Sequence, residues 1–242
     1  MATPYKESDK DKKSQVAGMF NSIAGKYDFL NHFLSAGIDV HWRKKTIKTL
    51  QKHRHSTILD VATGTADLAI EASKINPDKI TGIDISTEML EVGRKKIAAR
   101  GLQQMIELKE GDCENLAFDD NSFDAVTVAF GVRNFEDPLR GLTQMQRVLK
   151  PGGVALVLEF SKPTVFPVKQ MYFFYFKFIL PVIGRLVSRD QAAYTYLPDS
   201  VNEFPYGKAF LELMTKAGFE QTQAKKLTFG IATLYKGIKA AR

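Results

Sequence analysis

The sequence predicts an α/β fold: one mostly parallel sheet of Rossmann-like type, helices on both faces, and an antiparallel hairpin strand at the C-terminal end. Three observations predict it. Short runs rich in Val, Ile and Leu recur from residue 57 to about 160, longer amphipathic segments separate them, and two further strand-like runs meet at Phe229-Gly230. Strand and helix in strict alternation imply crossover connections, and hence a parallel sheet covered on both faces.

The elements follow in order. TILDVA (57–62), KITGIDI (79–85), MIELKEG (105–111), AVTVAF (125–130) and VALVLEF (154–160) read as strands. DLAIEASKI, STEMLEVGRKKIAAR and DPLRGLTQMQRVLK carry apolar residues at three- and four-residue spacing and read as helices. Ser86 is placed to cap the second of these, and Pro151-Gly152 is expected to stop the third after Lys150. FEQTQAKKLT and IATLYKGIK read as a hairpin, which adds an antiparallel edge to the sheet.

Composition sets outer bounds. The chain has 242 residues, 44% of them hydrophobic and 25% charged, which is ordinary for a globular protein with a sizeable core. Its formal charge of +7 suits nucleic acid, an anionic membrane surface, or simply a solvated basic surface. Cys113 is the one cysteine, so no internal disulfide and no metal site are expected. The opening MATPYKESDKDKK is charged and polar with no apolar run behind it, which argues against a secretory signal and for a cytoplasmic protein. The longest apolar stretch, MYFFYFKFILPVIG (171–184), is broken by Lys177 and Pro181 and falls short of the roughly 18 residues a membrane-spanning helix needs.

The most informative turn is LDVATGTAD (59–67), between the first strand and the first helix of the alternating region. That is the position of a nucleotide-binding turn, and Asp84 follows Gly64 by 20 residues, where a carboxylate can accept bonds from both ribose hydroxyls. Yet Ala62 and Ala66 stand at its flanks, and Asp67 stands where a dinucleotide-binding turn has its third glycine. A carboxylate there repels a diphosphate and competes for the positive helix end. S-adenosylmethionine carries a sulfonium and an ammonium and no phosphate, so the charge argument favours it; the alternative is that Asp67 only caps its helix. Asp112 and Cys113 follow the third strand, where a carboxylate and a backbone N–H can read adenine, or where Asp112 only shapes a turn. Met89 suits either the adenine face or the core.

FNSIAGKYDFLNHFLSAGIDVHWRK (20–44), FGVRN (130–134), LEFSKP (158–163) and YTYLPDSVNEFP (194–205), together with LDVATGTAD and LKPGG, resemble the quinone-biosynthesis C-methyltransferases, a family of class I methyltransferases. The resemblance runs from about residue 14 to 240. It implies one methyltransferase domain over 1–242, with a helical lid over 1–52 and a substrate cover over 168–204. It implies C-methylation of a polyprenyl quinol by S-adenosylmethionine, with demethylmenaquinol first and a polyprenyl methoxybenzoquinol of the ubiquinone pathway as the alternative. The cofactor contacts it implies map onto Thr65, Asp84, Asp112 and Cys113, with Tyr27 closing over the methionine end or else only packing the N-terminal helix on the sheet. Gly64, from the turn itself, and Asp60 complete the expected cofactor-binding set. The turn is poorer in glycine than the family's, and Asp39 stands where a histidine is usual, so His41 is given no role.

A quinol carbon becomes nucleophilic when a neighbouring hydroxyl gives up its proton, and free phenols titrate near pH 10. Arg133 is placed to stabilise the developing oxyanion and Asn134 to orient a hydroxyl; the other reading pairs Arg133 with an acid such as Glu136 and gives it only a stiffening role. No residue stands out as the base. A polyprenyl tail also needs an apolar receiver, and KQMYFFYFKFILPVIGRLV (169–187), flanked by Lys169, Lys177 and Arg185, suits a lid or an interfacial helix, with peripheral contact at the inner face of the cytoplasmic membrane, as well as an ordinary packed helix. Oligomeric state is left open. An NAD oxidoreductase is disfavoured by Asp67, and a nucleic-acid methyltransferase by the lack of an Asn/Asp-Pro-Pro-Tyr/Phe motif or a basic module, so no nucleic-acid partner is expected. A sterol-, tocopherol- or small-molecule methyltransferase would share residues 57–160 but not the N-terminal and YTYLPDSVNEFP segments.

Overall fold

Among the described residues seven strands form one sheet: β1 (Thr57–Val61), β2 (Lys79–Asp84), β3 (Ile106–Glu110), β4 (Phe123–Ala129), β5 (Leu149–Phe160), β6 (Glu220–Leu227) and β7 (Ala232–Ile238). The computed structural model describes residues 2–5, 8–35, 37–175, 178 and 191–241. The strand order is β3-β2-β1-β4-β5-β7-β6, parallel from β3 to β5, with β7 antiparallel to both of its neighbours. The mostly parallel sheet and the C-terminal hairpin are as the alternation predicts.

The central strands are buried on both faces, which is why they read as near-continuous apolar runs. Ile58, Ala125 and Leu156 face one core, shared with α2 (Ile38–Leu50), α3 (Asp67–Ala72) and α4 (Thr87–Ala98). Leu59, Val126 and Val157 face the other, shared with α5 (Pro138–Val148) and, after α6 (Val168–Phe174) and α7 (Gln191–Glu203), with α8 (Lys208–Lys216). The long N-terminal helix α1 (Lys12–Leu34) lies against α4, and its Val16 and Met19 are buried with Tyr196 of α7.

Local signals set the helix starts. The Ser86 hydroxyl accepts the Met89 N–H at 3.3 Å, and Asp137 caps α5 through the Arg140 N–H at 3.0 Å, with Pro138 in the first turn. One boundary departs from expectation. Helix α5 ends at Val148, before Lys150, because Leu149 takes extended backbone (φ −68°, ψ 140°) and pairs with Phe123 as the start of β5. Fully buried Leu149 gains both a sheet ladder and the apolar core there, which outweighs another residue of helix. Lys177, Pro181 and Arg185 of the apolar stretch lie outside the described residues. Among the described residues no helix is long and apolar enough to cross a membrane.

Candidate active site

The carboxyl ends of β1, β2 and β4 open onto a cavity, at the edge of the sheet where ligands of parallel α/β folds lie. Gly64, Asp84, Met89, Asp112, Cys113 and Asn134 line it from the sheet side, and Phe20 and Tyr27 of α1 close it from above. The Phe20 and Tyr27 rings meet edge to face at 5.8 Å.

The glycine-poor turn keeps a loop shape that glycine would adopt more easily. Ala62, Gly64 and Ala66 all have positive φ (50°, 55° and 64°). Each alanine there costs on the order of 1 kcal/mol. The shape is held by bonds from Thr63 N–H to the Ile83 carbonyl (2.9 Å), Ala66 N–H to the Thr63 carbonyl (2.9 Å) and Gly64 N–H to Asp84 Oδ2 (2.8 Å). A Cβ on Gly64 would meet no atom within 4 Å, since that side of the residue opens on the cavity. Asp84 also accepts the Ser86 N–H on Oδ1 at 2.8 Å. Burial pushes its carboxyl upward, against the pull of these backbone bonds. Each oxygen keeps a further lone pair for a ligand hydroxyl.

The charge argument built on Asp67 is corrected by the structure. Asp67 is not among the cavity-lining residues; it pairs with Lys96 and with Arg43 Nη2 at 3.3 Å. Lys96 also holds Asp28 of α1 at 2.7 Å, and Arg43 holds buried Asp39 at 2.5 Å. The carboxylate is thus flanked by a cation on each side, in a chain of alternating charges from Asp28 to Asp39 that ties α1 and α2 to the turn. Asp67 faces these cations and not the cavity, so it does not choose between a sulfonium and a diphosphate by direct contact. Arg43 lies in the expected N-terminal lid and Lys96 one helix downstream, and no sequence spacing connects either of them to Asp67.

Thr65 and Asp60 also lie away from the cavity wall. Thr65 is buried, donates its hydroxyl to Asp28 Oδ1 at 2.5 Å and accepts Lys96 Nζ at 3.1 Å. Asp60 is 1% exposed, with Thr63 and Thr127 hydroxyls donating to its two oxygens at 2.6 and 2.7 Å. Asp60 and Thr127 are register partners on adjacent parallel strands, so this bond stitches β1 to β4 below the turn. Burial pushes Asp60 up to about 6, against the two hydroxyls. A carboxyl raised above its unfolded value binds its proton first in the folded state, so its contribution to stability falls as pH rises from about 4 to 6. Asp60→Asn is therefore expected to remove that fall: the difference in melting temperature between mutant and parent should change across pH 4 to 7. A constant difference over that range would show that Asp60 does not titrate there.

Beyond β3, Asp112 Oδ1 accepts the Glu114 N–H at 2.9 Å, while Lys13 of α1 reaches Asp112 Oδ2 at 2.7 Å and Glu114 Oε2 at 3.4 Å. The Asp112, Cys113 and Glu114 ligand atoms lie within 4.8 Å of one another, and the single Lys13 ammonium bridges the two carboxylates. Burial, with Asp112 and Glu114 nearby, pushes the Cys113 thiol well up, so it stays protonated. Met89 is both buried in the protein and part of the cavity wall, so its two readings coincide.

The FGVRN segment makes the opposite wall. Asn134 lines the cavity; Arg133 does not, and is 7% exposed. Arg133 pairs with Glu159 of β5, not with Glu136: Nη1 reaches Glu159 Oε1 at 2.9 Å and also binds the Phe130 carbonyl. Its guanidinium lies 5.4 Å from the Phe160 ring centre, and its Nε has no acceptor among the described residues. Lys12 of α1 donates to the Arg133 and Phe135 carbonyls at 3.2 and 2.7 Å, burial pulling its ammonium down to about 8. Phe135 packs on α5 because Gly141 has no Cβ, which would come within 2.5 Å of the ring. Tyr196 of α7 donates its hydroxyl to Asn134 Oδ1 at 3.1 Å. Sequence reasoning singles out neither Glu159, Lys12 nor Tyr196. Glu159 and Tyr196 fall within LEFSKP and YTYLPDSVNEFP, but their partners are set by the fold.

Comparison with known proteins agrees with this architecture. The ubiE/COQ5 methyltransferase family matches residues 6–239. A demethylmenaquinone methyltransferase of Bacteroides fragilis is 48% identical over 237 residues, covering 98% of this chain and 96% of its own. A ubiquinone/menaquinone biosynthesis C-methyltransferase UbiE of Geotalea daltonii is 48% identical over 237 residues, covering 97% and 100%. Among solved structures, a SAM-dependent methyltransferase of Thermotoga maritima, described as a possible histamine N-methyltransferase, superimposes with a TM-score of 0.64 at 19% identity, covering 92% of this chain and 98% of its own; that likeness speaks for the fold alone. With a family match over nearly its whole length and the methyltransferase sheet beneath it, the chain belongs to the ubiE/COQ5 methyltransferase family.

Proposed function

We propose that the protein methylates a ring carbon of a polyprenyl quinol, demethylmenaquinol foremost, with S-adenosylmethionine as the methyl donor. The observation that carries this reading is a shared wall: Asn134 of FGVRN lines the same cavity as Gly64, Asp84 and Asp112. A nucleoside held at one end of the cavity and a quinol oxygen at the other would then be neighbours. The names of the relatives from Bacteroides fragilis and Geotalea daltonii support the substrate class.

The residues present fit the donor. Asp84 has spare acceptor capacity for two ribose hydroxyls, Gly64 leaves open space where a side chain would project, and Asp112 can accept from the adenine amino group. Bound there, the donor supplies an electrophilic methyl group on a sulfonium. The protein's own task is to hold the ring in line and to favour the ionised hydroxyl. Asn134 meets the oxygen at the wall. Arg133 stands behind the wall: matched in charge by Glu159, it holds the Phe130 carbonyl to which the Asn134 amide also donates, and so steadies Asn134. Thr65 and Asp60 support the cofactor from beneath, by fixing the turn.

We also assign residues 1–52 as a lid, residues 168–204 as a substrate cover, and the whole chain as a single domain. Phe166 (77% exposed), just before that cover, and Met171 (67%) and Phe174 (57%) in its first helix are exposed apolar side chains, suited to a prenyl tail or the membrane that carries it. The test is incubation with labelled donor and each quinol, demethylmenaquinol or polyprenyl methoxybenzoquinol, presented in anionic vesicles, followed by mass analysis of the lipid. A product heavier by one methyl on the naphthoquinol is expected, with the chain sedimenting with the vesicles. Transfer only to the benzoquinol would reassign the substrate, and transfer to neither would remove the reading.

A further inference from the structure

We propose that Tyr196 is a positioning residue that fixes the direction of the Asn134 amide, so that the amide presents an N–H, and not its oxygen, to the substrate. The inference rests on the reading of Asn134 given under the proposed function.

An amide has a donor end and an acceptor end of nearly equal shape, so its direction is decided by its neighbours. Two neighbours decide it here. One end of the Asn134 amide lies 3.4 Å from the Phe130 carbonyl oxygen, which can only accept. That end is the nitrogen; reversed, two oxygens would face each other. The other end lies 3.1 Å from the Tyr196 hydroxyl. Tyr196 is 4% exposed and its hydroxyl has no other hydrogen-bond partner among the described residues, so it donates to Asn134 Oδ1; accepting from a reversed amide instead would leave its own proton buried without an acceptor. With Oδ1 occupied by Tyr196 and one N–H turned to Phe130, the second N–H is left for the cavity that Asn134 lines.

The direction matters because the two ends have opposite effects on the chemistry. A quinolate oxygen is an acceptor and is stabilised by an N–H; an amide oxygen beside it would raise the energy of the ionised ring. Tyr196 stands on α7, so the bond ties that helix to the wall. Its ring packs with Val16 and Met19 of α1, and loss of the hydroxyl alone leaves that apolar contact in place.

The test is a double-mutant cycle on the full chain with demethylmenaquinol in vesicles. Tyr196→Phe is expected to lower kcat about tenfold, as for one lost hydrogen bond, with the KM for the donor unchanged. The apparent pKa of the kcat profile should rise by up to about one unit, because tenfold weaker stabilisation of the ionised ring is one pH unit. Asn134→Ala is expected to lower kcat about 100-fold, and the double variant should be no slower than Asn134→Ala. Asn134→Asp, which has no donor end, should fall at least as far as Asn134→Ala without touching Tyr196. Additive losses in the double variant, an unmoved pH profile, or Asn134→Asp outpacing Asn134→Ala would each overturn the proposal. Wild-type turnover in Asn134→Ala would instead overturn the assigned role of Asn134, and the proposal with it. Wild-type turnover in Tyr196→Phe, with Asn134→Ala slow, would overturn the role of Tyr196 alone.

Discussion

Arg133→Ala should lower the free energy of unfolding by about 3–5 kcal/mol, the usual result of leaving a buried charge without its partner. The stranded group is Glu159, 1% exposed, which takes the Arg133 guanidinium at 2.9 Å and the Arg133 N–H at 3.4 Å. The double variant Arg133→Ala/Glu159→Ala should recover a large part of the loss, because it removes both charges. Chemical denaturation of the two variants against the parent checks this, and a single variant as stable as the parent would mean that Glu159 finds another cation or takes up a proton. Turnover should fall about 100-fold under conditions where the variant is folded, while donor affinity, read by titration calorimetry, stays within a few-fold of the parent. Equal loss of both would take Arg133 out of the chemical step and leave it a structural pair with Glu159.

Asp84→Asn should weaken donor binding about 100-fold, with turnover at saturating donor close to that of the parent. Two charge-assisted bonds to ribose hydroxyls reduced to neutral ones account for about 3 kcal/mol, and that difference is about two decades in Kd. Part of the loss comes through the turn. The carboxylate now accepts N–H bonds from both Gly64 and Ser86, and an asparagine must turn its NH2 group toward one of these donors. The loop with positive φ at Ala62, Gly64 and Ala66 then loses one of its restraints. Calorimetry with S-adenosylhomocysteine separates binding from turnover. Affinity within threefold of the parent would place the ribose elsewhere.

The strands, most helix starts and the hairpin were legible because each depends on neighbours in sequence. Ser86 caps through Met89, Asp137 through Arg140, and the apolar runs of β1, β4 and β5 announce burial on both faces. Gly64, Asp84 and Asp112 were legible for a related reason: strand ends in an alternating chain come together at one edge of the sheet. Asp67 was misread because its charge was judged alone. Its pairing with Arg43 and Lys96 depends on α2 and α4 packing on either side of the turn, and no local pattern records that. For Arg133 the sequence leaves two readings, an oxyanion contact or a pair with an acid such as Glu136; the fold does pair it with an acid, but with Glu159 from β5.

By itself, then, the sequence determined the α/β sheet, its antiparallel end, the edge where the cavity opens, and Gly64, Asp84 and Asp112 on its wall, though not that Asp60 and Thr65 lie beneath it. Only the tertiary structure decided which charges stand free and which are matched, and what holds the FGVRN wall: Lys12 from α1, Glu159 from β5 and Tyr196 from α7. Burial periodicity and capping act over a few residues and are written along the chain. Charge compensation and hydrogen-bond direction act through space, between residues whose spacing in sequence carries no trace of their contact.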